Sequence, residues 1–307
     1  MIKNKWNGEV FREHQHRVYT QNPTDSAYDR LLQQILKEGR WKENRTGTKT
    51  LSVFGPQVKF NNVGEWFPLL TTKKVHLKSI IGELLWFLSG STNKFELKEK
   101  YSTTIWDEWG DDKTGEMGPI YGHQWVNWTY SEKVEWPIGE YEENHINQLQ
   151  NIIDMLKTNP DDRRMIVSAW HVDQITKMAL PPCHWSFQFY TSDIGEEKRK
   201  LDMIMNIRSW DVFLGGPFNI ASYAILLMMM AQEVNMIPGD LIINAGDAHL
   251  YEDHIVYVKE QILRNSKGNI PKLILNPDKG FWNFTPKDFE LINYNPHTNW
   301  KNITVAI

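Results

Sequence analysis

The segment PFNIASYAILLMMMAQEVNM, residues 217–236, constrains the fold more than any other in the chain, because as a helix it is apolar almost all round. Such a helix either crosses a bilayer or lies inside a protein. Asn219, Ser222, Tyr223, Gln232 and Glu233 interrupt it. The uninterrupted apolar run is therefore too short to span a membrane, and a buried core helix is expected. A second segment, SIIGELLWFL at residues 79–88, has the same character. The chain has 307 residues, 41% of them apolar, which is enough to enclose both.

Helical and strand-like patterns alternate along the chain without an internal repeat, a low-complexity linker or a break in composition, which predicts one α/β (α+β) domain. Ala27, Leu31, Leu32, Ile35 and Leu36 recur at helical spacing and predict a helix over 26–38, capped by Thr24 or Asp25 and ended by Gly39. Residues 50–60 read as strand, broken at Gly55-Pro56. Residues 186–190 and 200–208 flank the charged turn SDIGEEKRK and predict a hairpin. A helix is expected over 147–157 and a strand over 240–244. Residues 129–146 are polar and acidic, with Pro137 and Gly139, and predict a surface insertion.

Thirty-four Lys and Arg against thirty-eight Asp and Glu leave a net charge of −4. No basic field covers the chain, which argues against nucleic acid as the main partner. An anionic ligand needs a local cluster of cations. Cys183 is the one cysteine, so an intrachain disulfide and a cysteine-rich zinc site are both excluded. The first twenty residues lack a secretory pattern, and a cytoplasmic location is the expectation.

Few residues carry chemistry on their own pattern. Glu83, the one acid in SIIGELLWFL, either emerges at the helix edge or is a buried carboxylate kept for proton transfer. Cys183, in LPPCHW, is either a small buried hydrophobe or a nucleophile. Pro181-Pro182 stiffen its backbone, and His184 with Arg208 offer the positive surroundings that lower a thiol pKa. Arg45 in ENRTGT, Arg163-Arg164 and Arg208 are either solvated charges or the forked donors that a phosphate needs. His249 and Tyr251 in GDAHLY suit a sugar hydroxyl or a structural role.

The segments ENRTGT, FPLLTTKKVHLKSI, ELLWFLSGSTN, IWDEWG, GPIYGHQW, DDRRMIVSAW, MALPPCH, RSWDVFLGGPFNIASY and GDAHLY, in this order, resemble the thymidylate synthase family. The resemblance runs from about residue 24 to the terminal Val305-Ala306-Ile307. It implies a homodimer around a large mixed β-sheet that forms the interface and is covered by helices. Residues 1–22 are then an extension, 23–307 the catalytic domain, and 129–146 lie outside the common pattern. The reaction implied joins dUMP with 5,10-methylenetetrahydrofolate as co-substrate, without a metal. The resemblance makes Cys183 the nucleophile toward carbon 6 of the uracil. Arg45, Arg208 and Ser209 are implied to hold the phosphate, with Arg163 and Arg164 donated by the other subunit, which makes the dimer obligatory. His184 is counted among the nucleotide-binding residues, Asn219 pairs with the uracil amide edge, and His249 and Tyr251 bind the sugar hydroxyl. Asp211 is implied to bind the pterin, with His76 and Ala306 as further folate contacts and Trp106 and Trp109 as walls. Glu83 anchors the water network that moves protons, and Tyr121 assists removal of the proton at carbon 5.

The chain departs from the family pattern at Asn206-Ile207, where Tyr-Gln is usual, at Gly216, where Leu or Val is usual, and at Leu227-Met228, where Thr-His is usual. These positions are expected beside the nucleotide and folate, with Gly216 leaving space for a water. Three readings follow: thymidylate synthase, a dUMP hydroxymethylase that ends the reaction with water, and a catalytically idle nucleotide- or RNA-binding regulator. The intact set Cys183, Glu83, Arg208, Asn219 and Tyr251 argues against the last.

Overall fold

The computed structural model describes residues 22–133, 141–195, 197–268, 270–301 and 303. Ala306, and the proposed extension apart from Asn22, lie outside them. The centre of the molecule is a mixed sheet of seven strands: β1 (Arg40–Lys42), β2 (Thr50–Phe54), β3 (Gln57–Phe60), β6 (Ile166–Ser168), β7 (His184–Ser192), β8 (Lys200–Asp211) and β9 (Ile237–Tyr251). Its order is β1-β2-β9-β8-β7-β6, and β3 also pairs with β9. All pairs are antiparallel except β8 and β9. Parallel neighbours need a crossover, and the apolar segment provides it as helix α6 (Gly215–Glu233).

The sheet alternates as a half-covered sheet should. Phe187, Phe189, Leu201, Met203, Met205, Leu241 and Ile243 are buried beneath α6, which is itself buried along most of its length and packs on α2 (Leu77–Leu88). The opposite face carries Ile166, Gln188, Ile204, Asn206, Ile242, Asn244 and Gln57, all partly or fully exposed. Across it Asn206 donates to Ser186 (3.0 Å), Asn244 to Asn206 (3.2 Å) and Gln57 to Asn244 (2.8 Å).

The expected strand pair meets across the charged turn, as β7 and β8. The strand expected over 240–244 is three times as long and takes in GDAHLY. The strand expected over 50–60 is two, β2 and β3, divided where Gly55 adopts φ +80°. The expected insertion 129–146 falls largely on two antiparallel strands, β4 (Trp128–Lys133) and β5 (Tyr141–Ile146), pinned where His171 and Gln174 hydrogen-bond Thr129. Helix α5 (Gln148–Thr158) follows, capped by Asn147.

Helix α1 (Pro23–Glu38) starts earlier than its apolar spacing predicts, because Asn22 is the cap and Pro23 occupies the first turn. Asp25, an expected cap, is instead wholly buried and accepts hydrogen bonds from the backbone and hydroxyl of Thr71. Three residues on, the Tyr28 hydroxyl donates to Val212 O (2.6 Å). One helix turn thus ties together the two segments that flank the cleft described next.

Candidate active site

The cleft forms where β7 and β8 begin and end. The backbone of Cys183 is held twice: its N–H donates to the Tyr121 hydroxyl at 2.8 Å, and its carbonyl accepts from Arg208 N at 2.8 Å. The Arg208 guanidinium is aimed by the same loop, donating to Pro182 O (2.9 Å) and Pro181 O (2.8 Å). That places Nη2 3.9 Å from the Cys183 sulfur. Stiff proline backbone thus fixes cation and thiol relative to each other.

The electrostatics differ from the sequence expectation in two ways. Burial pushes the Cys183 thiol up, and Arg208 and Arg45 pull it down without overcoming that effect. His184 is not a positive neighbour at all. Burial alone draws its pKa down to about 3, so the ring is neutral at physiological pH. It stacks on Tyr121, with centroids 4.2 Å apart, and its Nδ1 lies 2.8 Å from the Tyr223 hydroxyl.

On the other wall, Phe87 stacks on Tyr121 at 5.1 Å and meets Trp106 edge-on at 6.3 Å. Trp106 in turn contacts Trp109 at 5.6 Å. The Trp106 indole donates to Glu83 Oε1 at 2.7 Å. That bond favours the carboxylate, but burial outweighs it and raises the pKa to about 7. Glu83 combines the two readings: the residue is partly exposed at the helix edge, yet its carboxyl is enclosed enough to take or give a proton near neutrality.

At the end of β8, Asp211 Oδ1 accepts from the backbone of Phe213 and Leu214, each at 3.1 Å, and lies opposite His249 in the β8–β9 register. Asp247 orients the His249 ring (Nδ1 to Oδ1, 3.1 Å) and is itself held by Ser52 and Lys42. Tyr251 meets His249 edge-on at 5.3 Å. Arg45 stands exposed in the turn after β1, near enough to favour ionisation of both Tyr251 and Cys183. Asn219 is half-buried one turn into α6, and Ser209 half-buried on β8. His76 is exposed at the start of α2. Arg163 and Arg164 are not part of this cluster. Both are exposed beside β6, and Arg164 is paired with Asp162 at 2.6 Å.

The departures from the family pattern are not all placed as expected. Asn206 faces away from the cleft, in the amide row on the outer sheet face. Ile207 is buried and pairs with His184 in register. Leu227 and Met228 lie buried in α6. Gly216 leaves room for a Cβ, which would lie at ordinary contact distance from Trp210 Nε1 (3.4 Å) and Asp211 O (3.5 Å). The Trp210 indole on β8 borders that space, its Nε1 buried and unpartnered among the described residues.

Sequence reasoning overlooked two buried residues near the cleft. Lys73 is almost fully buried, with its ammonium on the Phe213 carbonyl and over the Phe213 ring. Burial pulls its pKa down to about 8 against the opposing pull of Asp211. The lysine stands in LLTTKKVHLKS among further cations, so nothing in the pattern singled it out. Tyr223 stood in plain view within NIASY, on the core helix, but a tyrosine there reads equally as packing. No cluster of His, Cys, Asp or Glu able to hold a metal exists among the described residues.

The family model for thymidylate synthase matches residues 26–306. The chain belongs to that family, and with it to the class of enzymes that transfer one carbon from methylenetetrahydrofolate to carbon 5 of dUMP.

Proposed function

We propose that the chain is a thymidylate synthase that converts dUMP to dTMP with release of dihydrofolate, working as a homodimer. Cys183 adds to carbon 6 of the uracil. Burial raises its thiol pKa in the free protein, while Arg208 at 3.9 Å, the Tyr121 hydroxyl and Arg45 favour the thiolate. Arg45, Arg208 and Ser209 take the phosphate from this chain, and Asn219 offers the donor and acceptor that the uracil amide edge requires. His249 and Tyr251, steadied by Asp247, take the sugar hydroxyl. Glu83, half-ionised near neutral pH, relays protons, and Tyr121 assists their removal from carbon 5.

The folate co-substrate supplies the one-carbon unit and the hydride. The residues present fit it: a half-buried carboxylate at Asp211, apolar walls at Trp106 and Trp109, and His76 at the rim. The second subunit is supported by the uncovered sheet face, where Ile166, Ile204 and Ile242 lie partly exposed. It is supported too by the position of Arg163 and Arg164 outside their own cleft, from which they can serve a partner's phosphate.

One observation favours reduction over hydration as the final step. A water beside the reacting carbon needs room and polar partners. Ile207 puts a buried apolar side chain where the family pattern has an amide, which takes one such partner away. Mass spectrometry of the product tests the reading. Expected are dTMP and dihydrofolate in equal amounts. A nucleotide heavier by one oxygen, formed without dihydrofolate, supports the hydroxymethylase in its place.

A further inference from the structure

We infer that Tyr223 is a positioning residue that fixes the tautomer of His184, placing the imidazole proton on Nε2 as a donor toward the cleft beside Cys183. The inference rests on the nucleotide-binding reading of that cleft. The Tyr223 hydroxyl lies 2.8 Å from His184 Nδ1, and both residues are buried, at 1% and 8% exposure. Among the described residues this nitrogen is the only hydrogen-bond partner of the hydroxyl. A buried phenol must donate to that partner or leave its proton unused, at a cost comparable to a lost hydrogen bond. Nδ1 is therefore the acceptor, and a neutral ring then carries its one proton on Nε2.

The ring has no freedom to escape this assignment. Tyr121 stacks on one side at 4.2 Å with 29° between planes, and Tyr223 meets it edge-on at 5.3 Å and 81°. Phe87 closes a further side at 6.3 Å. Among the described residues no carboxylate contacts the imidazole to stabilise a second proton, and burial keeps it neutral down to about pH 3. Nε2 has no partner among the described residues. It belongs to the residue next to Cys183, on a ring stacked against the tyrosine that holds the Cys183 N–H. A fixed N–H there suits a carbonyl oxygen of the base, or a water bound to it, and opposes an exocyclic amino group.

The test uses protein labelled with ¹⁵N in its histidines, with the His184 signals assigned by their loss in His184→Gln. Expected for the native protein are a protonated Nε2 and an unprotonated Nδ1. Tyr223→Phe removes only the hydroxyl. It should shift the His184 nitrogen signals while leaving those of the other histidines in place, and lower kcat/KM for dUMP about tenfold, the usual weight of one buried hydrogen bond. A proton on Nδ1 in the native protein overturns the inference. So do unmoved His184 signals, or an unchanged kcat/KM, in Tyr223→Phe. The nitrogen signals are read without turnover, so an enzyme that makes a different product, or none, leaves the tautomer assignment standing or falling on its own.

Discussion

At the scale of single residues, the site was legible where chemistry demands a residue type and illegible where burial sets the charge. Cys183 and Glu83 stand out because a lone cysteine after two prolines and a lone acid in an apolar helix both need explaining. The neutrality of His184 could not be read, since nothing in CHW says that Tyr121, Phe87 and Tyr223 enclose the ring. The same effect gives Glu83 a measurable signature. Its carboxyl is held at about 7 against an ordinary 4.5, so the folded state binds the proton more tightly than the unfolded chain does. The resulting stability is complete below about pH 4.5 and is lost as the pH rises through 7, amounting to at most about 3 kcal/mol. Glu83→Gln abolishes that dependence. Urea unfolding at fixed protein concentration should therefore show the variant gaining on the native protein between pH 5 and pH 8. An equal difference at both pH values refutes the shifted carboxyl.

At the scale of elements, the two apolar helices, the β7–β8 hairpin and α5 followed from periodicity, because each buries one continuous pattern. What did not follow were features that depend on a distant neighbour. Helix α1 begins at Pro23 because Asn22 caps it, and Asp25 is free to serve Thr71. The size of the space at Gly216 depends on Trp210 of the preceding strand, β8, whose side chain the sequence alone does not place. Trp210 and Gly216 act as a size-matched pair between β8 and α6, and interiors tolerate little extra volume. Gly216→Ala should be nearly neutral, since its Cβ would sit at ordinary contact distance from the indole. Gly216→Leu should cost about 1–3 kcal/mol through overpacking. Adding Trp210→Ala to Gly216→Leu should recover part of that loss, which a double-mutant cycle of unfolding free energies measures. Strict additivity means that the two side chains do not share the space.

At the scale of the whole molecule, one mixed domain was foreseeable from the absence of any break in composition, but the placement of its arginines was not. The chain puts Cys183, Arg208 and Arg45 at one end of the sheet and leaves Arg163 and Arg164 exposed beside β6. In the proposed dimer a phosphate site served by all four arginines arises when a second copy covers the outer sheet face and presents its own Arg163 and Arg164. This arrangement predicts complementation. Arg164→Ala and Cys183→Ser should each be nearly inactive, the latter because a serine hydroxyl is scarcely ionised at neutral pH. A mixed dimer of the two has one cleft with both defects and one with neither. Mixing the variants under conditions that allow exchange should therefore restore activity, approaching a quarter of the native value when subunits redistribute at random from equal amounts, since half the dimers then carry one intact cleft. Labelled subunits establish that exchange occurred. If they exchange and no activity returns, Arg164 does not act across the interface, and the exposed arginines beside β6 need another explanation.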